Sequence, residues 1–406
     1  MILRSKENNK IDGYLFASYS QKKLHCLSKT YEELAGLYRN IPQEDFVCED
    51  RRDMLYRRQL NETKQVFANH LDEISEAFAE VADTVVHASV PVQHKRRALI
   101  QYLKKQGIIV KEMLFLEGGN GIAPEDAFRN RISIEARMIG RRTLPVSVLC
   151  GLLSVFFARR LMPSLDSATL VGRNYDTFIF EDEPRFCVMS AVSRAVKENE
   201  KISGDNFSFE EYNQNQAIMM VADGMGSGEQ ACRDSRSVIE FMEKFLEAGF
   251  RKEKAFAMVN SAIASQTQCC NMTTLDVCAI NLLNGDAEFL KAGAAPSYRK
   301  RGNRVEEISV DTLPLGSIDE LCPLVQTIKL MDSDMLILLS DGVTDALEGV
   351  GGRRLPEIIS GMDTANPKEL SNQLLQYAIN CQGGHIMDDM TVLVCSIRYN
   401  HRSYGE

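Results

Sequence analysis

Ala217-Ile218-Met219-Met220-Val221-Ala222-Asp223-Gly224 and, much further along, Leu336-Ile337-Leu338-Leu339-Ser340-Asp341-Gly342 are two apolar runs that each stop at an Asp-Gly pair. Short apolar runs bounded by turn residues read as buried strands. A strand fixes its own end in space, so an aspartate there is rigidly aimed. The glycine after it lets the backbone come close to a ligand and leaves its carbonyl as a further oxygen donor. Two other segments share the feature: Ser203-Gly204-Asp205, and Asp388-Asp389-Met390-Thr391, which runs into the apolar stretch Thr391–Ile397. Carboxylates that converge without a cation repel one another, so convergence would imply a metal. Hard divalent ions take carboxylates, carbonyls and water as ligands. A single Asp-Gly is usually only a turn, and Asp12-Gly13 is read as one.

Working outward, strands are expected at Cys187–Arg194, Ala217–Ala222, Leu275–Leu282, Ala287–Ala292, Leu336–Ser340 and Thr391–Ile397. Asn284-Gly285 marks a hairpin between two of them. Helices are expected at Glu229–Ala248, with Gly249 as its stop, and at Lys252–Gln266. Hairpin-joined strands with helices grouped apart give an α+β layered fold with antiparallel sheets. Gly226-Ser227-Gly228-Glu229 reads either as a phosphate-cradling loop or as the turn that starts a helix, with Ser227 as its cap. No Walker lysine follows, which argues against nucleotide binding. Asp332-Ser333-Asp334 has the shape of an aspartate-nucleophile motif but reads better as a turn before the next strand.

Upstream, Phe67, Leu71, Ile74, Phe78, Val81 and Val85 form a heptad-like stripe on a helix expected from about Arg51 to Val90, closed by Pro91. The stripe suits a helix packed on its own domain, or a self-associating helix that would make a homodimer. Residues 95–170 alternate helix and strand: Arg96–Gln106 helical, Ile108–Leu116 and Ile132–Ile139 extended, Val146–Leu161 helical. The boundaries read are 1–45 unassigned, 46–94 a long regulatory or linker helix, 95–169 a small α/β regulatory unit and 170–400 the strand-rich domain.

The 406 residues, 44% hydrophobic and 25% charged, suit more than one globular unit. The net charge of −9, with no compensating basic block, argues against nucleic acid as a partner. The 11 cysteines form no CxxC pair and read as free thiols in a reducing, cytoplasmic setting. The opening residues MILRSKENNKIDGY hold no apolar core, so no secretory leader is expected. The stretch Leu144–Ala158 is too short and interrupted for a membrane span and reads as a buried helix.

The ordered segments SGDNFSF, VADGMGSGEQA, TLDVCAINL, LLSDGVTDA and DDMTVLV resemble the PPM-type metal-dependent protein serine/threonine phosphatases, and more narrowly the stage II sporulation protein E family. The resemblance covers about 170–400 and extends upstream into the 95–170 unit. It implies a layered α-β-β-α phosphatase domain with two antiparallel sheets, preceded by the long helix and the small regulatory unit. It implies two Mn2+ or Mg2+ ions, with Asp223 bridging them and the Gly224 carbonyl helping to hold one. Asp341 and Asp388 would bind the other ion, and Asp205 would assist the second. Asp389 would support the site from behind its ligands. The reaction implied is hydrolysis of phosphoserine or phosphothreonine by a metal-activated water. The expected substrate is a phosphorylated regulatory protein, an anti-sigma-factor antagonist in sporulation or sigma-factor control. Alternatives are a same-fold phosphatase of another pathway and a non-catalytic binding module. Met225 stands where many eukaryotic relatives carry a histidine. The resemblance implies that the helical pair after the Asp-Gly loop acts as a switch on the metal site; the other reading is a rigid amphipathic pair that only covers the sheet.

Overall fold

The computed structural model describes residues 24–36, 39, 65, 68–82, 87–89, 93–117, 131–164, 167–212, 215–247, 250–264, 272–318, 321, 323–347 and 354–400. The chain divides into two compact units at Glu183/Pro184. The strand Asp176–Asp182, assigned from sequence to the C-terminal domain, therefore lies in the first unit.

The first unit begins with helical residues 24–36 (α1) and 68–82 (α2). Its sheet has the order β1-β2-β3-β7-β5, built from β1 (His87–Ser89), β2 (Ile108–Glu117), β3 (Arg131–Met138), β7 (Asp176–Asp182) and β5 (Leu161–Pro163). The short pair β4 (Leu144–Pro145) and β6 (Leu170–Val171) stands beside it. Helices α3 (Gln93–Lys105) and α4 (Val146–Phe157) complete the unit. On β3, Ile132, Ile134, Ala136 and Met138 are buried in strict alternation. They share one core with Leu99 and Leu103 of α3 and Leu149 and Leu153 of α4, so both helices cover the same sheet face. Leu71 and Phe78 of the stripe meet α1: Leu71 clusters with Ala35, and Phe78 stacks on Tyr31 at 5.4 Å. Phe67 and Val85 lie outside the described residues. The helix does not continue to Val90 as expected, because His87–Ser89 pairs antiparallel with Phe115–Glu117. The expected helix to Leu161 also stops early. Ala158 turns left-handed at φ 51°, and Leu161 starts a strand. Among the described residues no helix is long and apolar enough to cross a membrane.

The second unit has two five-stranded antiparallel sheets. One has the order β15-β12-β11-β10-β9, from β9 (Asp205–Tyr212), β10 (Gln216–Gly224), β11 (Thr273–Asn281), β12 (Asp286–Ala292) and β15 (Val325–Lys329). The other has the order β14-β13-β16-β17-β8, from β8 (Phe186–Ala195), β13 (Ser297–Arg301), β14 (Arg304–Ile308), β16 (Met335–Leu339) and β17 (Met390–Tyr399). Helices α5 (Gly228–Glu247) and α6 (Lys252–Ala264) pack on the first sheet. Helices α7 (Asp341–Leu347), α8 (Leu355–Ser360) and α9 (Pro367–Cys381) pack on the second.

The two runs that opened the sequence reading are apolar throughout because both faces of each strand are covered. On β10, Met219 and Val221 face the core between the sheets, while Ile218, Met220 and Ala222 face α5 and α6. On β16, Leu336 and Leu338 point inward, while Ile337 and Leu339 face α7 and α9. The layers are therefore α-β-β-α, as expected. Asn284-Gly285 closes the β11–β12 hairpin, with Gly285 at φ +79°. Asp332-Ser333-Asp334 is a turn. Buried Asp334 accepts from the Arg301 guanidinium at 2.6 Å on each carboxylate oxygen, which leaves it no role as a nucleophile.

A side chain at Gly285 would need a strained positive φ and would place its Cβ 2.7 Å from the Phe186 ring. Gly285→Ala is predicted to lower stability by roughly 1–3 kcal/mol in a denaturant titration, the range for overpacking or a strained backbone. An unchanged midpoint would mean the hairpin relaxes freely.

Candidate metal centre

Asp205 begins β9 and Asp223 lies one residue before the end of β10, and the two are direct cross-strand partners. The second sheet contributes the other pair. β16 ends beside the start of β17, where the Ser340 amide donates to the Thr391 carbonyl at 3.1 Å and the Thr391 amide donates to Ser340 Oγ at 2.9 Å. That pairing brings Asp341, the first residue of α7, to Asp388, just ahead of β17. A Cβ on Gly342 would lie 2.2 Å from the Asp389 carbonyl oxygen, so only glycine lets the two segments approach this closely. A Cβ on Gly224 would likewise lie 2.2 Å from the carbonyl oxygen of Ala231, in the first turn of α5.

The charges of Asp205, Asp341 and Asp388 all act on Asp223, so the four aspartates lie near one another. Asp205 is fully buried, and neither of its carboxylate oxygens has a hydrogen-bond partner. Burial pushes its pKa up to about 6, and the Asp389 charge adds to the rise. The nearby Thr391 and Ser340 hydroxyls ease it without forming hydrogen bonds to the carboxylate. Asp223 is pushed up to about 9, first by burial and then by the charges of Asp205, Asp341 and Asp388. Asp341 is also raised, by desolvation and then by Asp388 and Asp345. The side chains stand slightly apart: among the described residues no group of three or more His, Cys, Asp or Glu is drawn in tightly enough to hold an ion.

The chemistry of these donors suits a divalent cation, although the side chains are not drawn in around one. A buried carboxylate with two bare oxygens costs several kcal/mol unless something positive meets it. Carboxylates and a backbone carbonyl, with no sulfur or imidazole, form the donor set of a hard ion. Each of Asp205, Asp223, Gly224, Asp341 and Asp388 falls at this one end of the sandwich.

The neighbours were not all foreseen. Buried Asp389 supports the site rather than facing it: Oδ2 accepts from the Gly204 amide at 2.7 Å and Oδ1 from the Lys197 amide at 3.0 Å. An asparagine there would offer only one acceptor atom for these two amides. Arg194 of β8 donates to the Asp205 carbonyl and lies over the Phe207 ring. Lys197 Nζ stands 3.5 Å from Asp388 Oδ1. Neither basic residue lies in a recognisable motif, and only the sheet order brings them here.

Residues 213–398 match the family model of Stage II sporulation protein E (SpoIIE). The second unit is thus similar in sequence to that family. The chain is 26% identical over 387 residues to stage II sporulation protein E of Bacillus subtilis (strain 168), covering 92% of this chain and 45% of the relative. It is 25% identical over 351 residues to the Priestia megaterium protein of that name, covering 85% and 58%. The chain thus spans about half the length of the curated relatives it matches. The solved PP2C phosphatase domain of B. subtilis SpoIIE, with a fragment of its regulatory domain, superposes with a TM-score of 0.61 at 24% identity. That match covers 86% of this chain and 100% of the solved one, and shows that the fold is the PP2C phosphatase fold.

The raised carboxylate pKa values set a pH dependence for the metal-free second unit. From about pH 4, where a free aspartate ionises, the unfolded chain loses the Asp223 proton. The folded chain keeps it up to about pH 9. Across that window the unfolded state binds fewer protons, so this group's contribution to stability falls as pH rises. Asp223→Asn is predicted to raise the melting temperature of the metal-free protein above pH 6 and to flatten its decline with pH. Parallel wild-type and variant curves would show that Asp223 carries no such burden.

Proposed function

We propose that the chain is a Mn2+- or Mg2+-dependent protein phosphatase that hydrolyses phosphoserine or phosphothreonine on a regulatory protein. The observation that carries this reading is Asp223 at the end of β10 in a PP2C fold, raised to about 9 first by burial and then by the charges of Asp205, Asp341 and Asp388. Such a group stays ionised at neutral pH only beside a cation. Two divalent cations, when bound, would lower the pKa of a water and neutralise charge on the phosphoryl oxygens.

The chain's own residues divide the remaining work. Asp223 would bridge the ions, with the Gly224 carbonyl on one of them. Asp341 and Asp388 would hold the other, and Asp205 would assist from the sheet interior. Asp389 holds the backbone at Gly204, next to Asp205, and at Lys197 through the two amides it accepts. Lys197, at the rim beside Asp388, offers a positive charge to an incoming phosphate. Met225 has no proton to give, so the leaving serine oxygen takes its proton from water rather than from this side chain.

The expected substrate is a small phosphorylated anti-sigma-factor antagonist, a proposal supported by the sporulation proteins to which the chain is similar. A non-catalytic binding module is the weaker reading, because all four aspartates are in place. Full-length protein is predicted to release phosphate from a phosphoserine protein only with added Mn2+ or Mg2+, and to stop with chelator. Asp223→Ala should cut turnover by about a hundredfold or more, the scale on which one lost electrostatic group acts in catalysis. Hydrolysis that persists in chelator would refute the metal mechanism. An Asp341→Asn form should retain the phosphorylated partner in a pull-down.

A further inference from the structure

The space between the two sheets is filled mainly by apolar side chains, and a buried polar cluster stands among them. Lys291 on β12 is fully buried, Asp276 on β11 is 1% exposed and Ser297 at the start of β13 is fully buried. The Lys291 ammonium donates to Asp276 Oδ2, to the Ala295 carbonyl at 2.8 Å and to Ser297 Oγ at 2.8 Å, so all three of its protons are used. Ser297 Oγ also donates to Asp276 Oδ2. Lys291 and Asp276 are cross-strand partners in the first sheet, whereas Ser297 belongs to the second. The cluster is therefore a polar pin from sheet to sheet.

Stability does not account for it. A buried ion pair gains little or nothing over apolar residues of the same size, and its attested use is to fix register. Register is what the acidic centre needs, because Asp205 and Asp223 come from one sheet and Asp341 and Asp388 from the other. Apolar packing between sheets is non-directional and leaves their sliding weakly defined. The pin touches both sides close to the centre. Asp276 lies about 7 Å along β11 from Thr274, at two residues of strand rise. Thr274 Oγ1 accepts the Asp223 amide at 3.3 Å. On the other side, β13 pairs with β16, the strand that leads to Asp341.

The turn after Lys291 adds a second tie. A Cβ on Gly293 would lie 2.6 Å from Pro314. Thr312 Oγ1 donates to the Lys291 carbonyl at 2.8 Å and accepts the Gly293 amide at 3.2 Å. Leu315, just beyond, bridges to Thr273, the cross-strand partner of Gly224.

We propose that Lys291, with Asp276 and Ser297, is a positioning residue that sets the register of the two sheets and thereby the separation of Asp205 and Asp223 from Asp341 and Asp388. The proposal rests on the metal-centre reading for its consequence, but not for its structural test. The test uses the full chain carrying Asp276→Leu with Lys291→Met, which removes both charges together, and separately Ser297→Ala, which spares the ion pair. In metal-free protein, amide hydrogen exchange at Asp223, Gly224 and Ser340 is expected to quicken in both variants, while the melting temperature of the double variant does not fall. Calorimetric affinity for Mn2+ is expected to drop by about tenfold or more, the scale seen when residues supporting metal ligands are lost. Unchanged exchange in Ser297→Ala, or unchanged exchange and Mn2+ affinity in a folded double variant, would overturn the pin. Should the double variant fail to fold, Ser297→Ala alone decides by its exchange. A wild-type chain that binds no Mn2+ would instead overturn the metal centre, and exchange would still judge the pin.

Discussion

Like-charge repulsion among carboxylates is the constraint around which the second unit is organised. Burial and then the charges of Asp205, Asp341 and Asp388 raise the proton affinity of Asp223, and the protein nonetheless folds these carboxylates to one end of a sandwich. The work is done by the strands behind them. β10 and β16 bury side chains on both faces, so each is anchored by two cores at once. Burial of apolar surface on both faces of two strands is the favourable term that opposes the unfavourable field at their tips. The four-layer architecture is thus a means of placing charge where charge is unwelcome.

This is also why the centre was legible in the sequence. A strand covered on both faces reads as an unbroken apolar run, and a run that ends abruptly in Asp-Gly announces a rigidly held carboxylate. The glycines carry information for a separate reason. At Gly224 and Gly342 a side chain would collide with backbone, of α5 in one case and of Asp389 in the other. The hairpin at Asn284-Gly285 was equally plain. There the Asn281 and Asn284 side chains accept backbone amides of the turn itself, so the signal is wholly local.

What escaped the sequence reading depends on neighbours distant in the chain. β9 was missed although Asn206-Phe207-Ser208-Phe209 alternates polar and apolar, because the run is short and passes into Glu210-Glu211, and its position is set by pairing with β10. α9 was missed although Asn366-Pro367 is a sound helix start, with the Asn366 side chain capping the Lys368 amide at 2.9 Å. β13, β14 and β15 are short and half polar, and sheet context alone makes them strands. In the first unit, periodicity carried α2 too far, since the stripe says nothing of the strand partner waiting for His87–Ser89. Arg194 and Lys197 reach the centre through the β8–β17 pairing, which no local pattern encodes.

The contact between Gly224 and α5 ties the centre to the outer layer. The Ala231 carbonyl sits where a side chain on Gly224 would be, so α5 cannot tilt toward the sheet without displacing the turn that carries Asp223. The same helix reaches the other acidic strand: Ser235 Oγ donates to the Gly204 carbonyl, and Asn206 donates to Ser235 Oγ at 2.8 Å. Gly204 in turn donates its amide to Asp389 of the second sheet. One helix therefore braces both acidic strands of the first sheet and, through Asp389, the loop that carries Asp388. A movement of α5 would be felt at Asp205 and Asp223 together, because the two are cross-strand partners, and at Asp388 through its neighbour. Control of this centre through the α5–α6 layer would need no contact with the carboxylates themselves. It would need only a partner that binds the outer face of α5, where Phe241 is exposed, and favours one tilt over another.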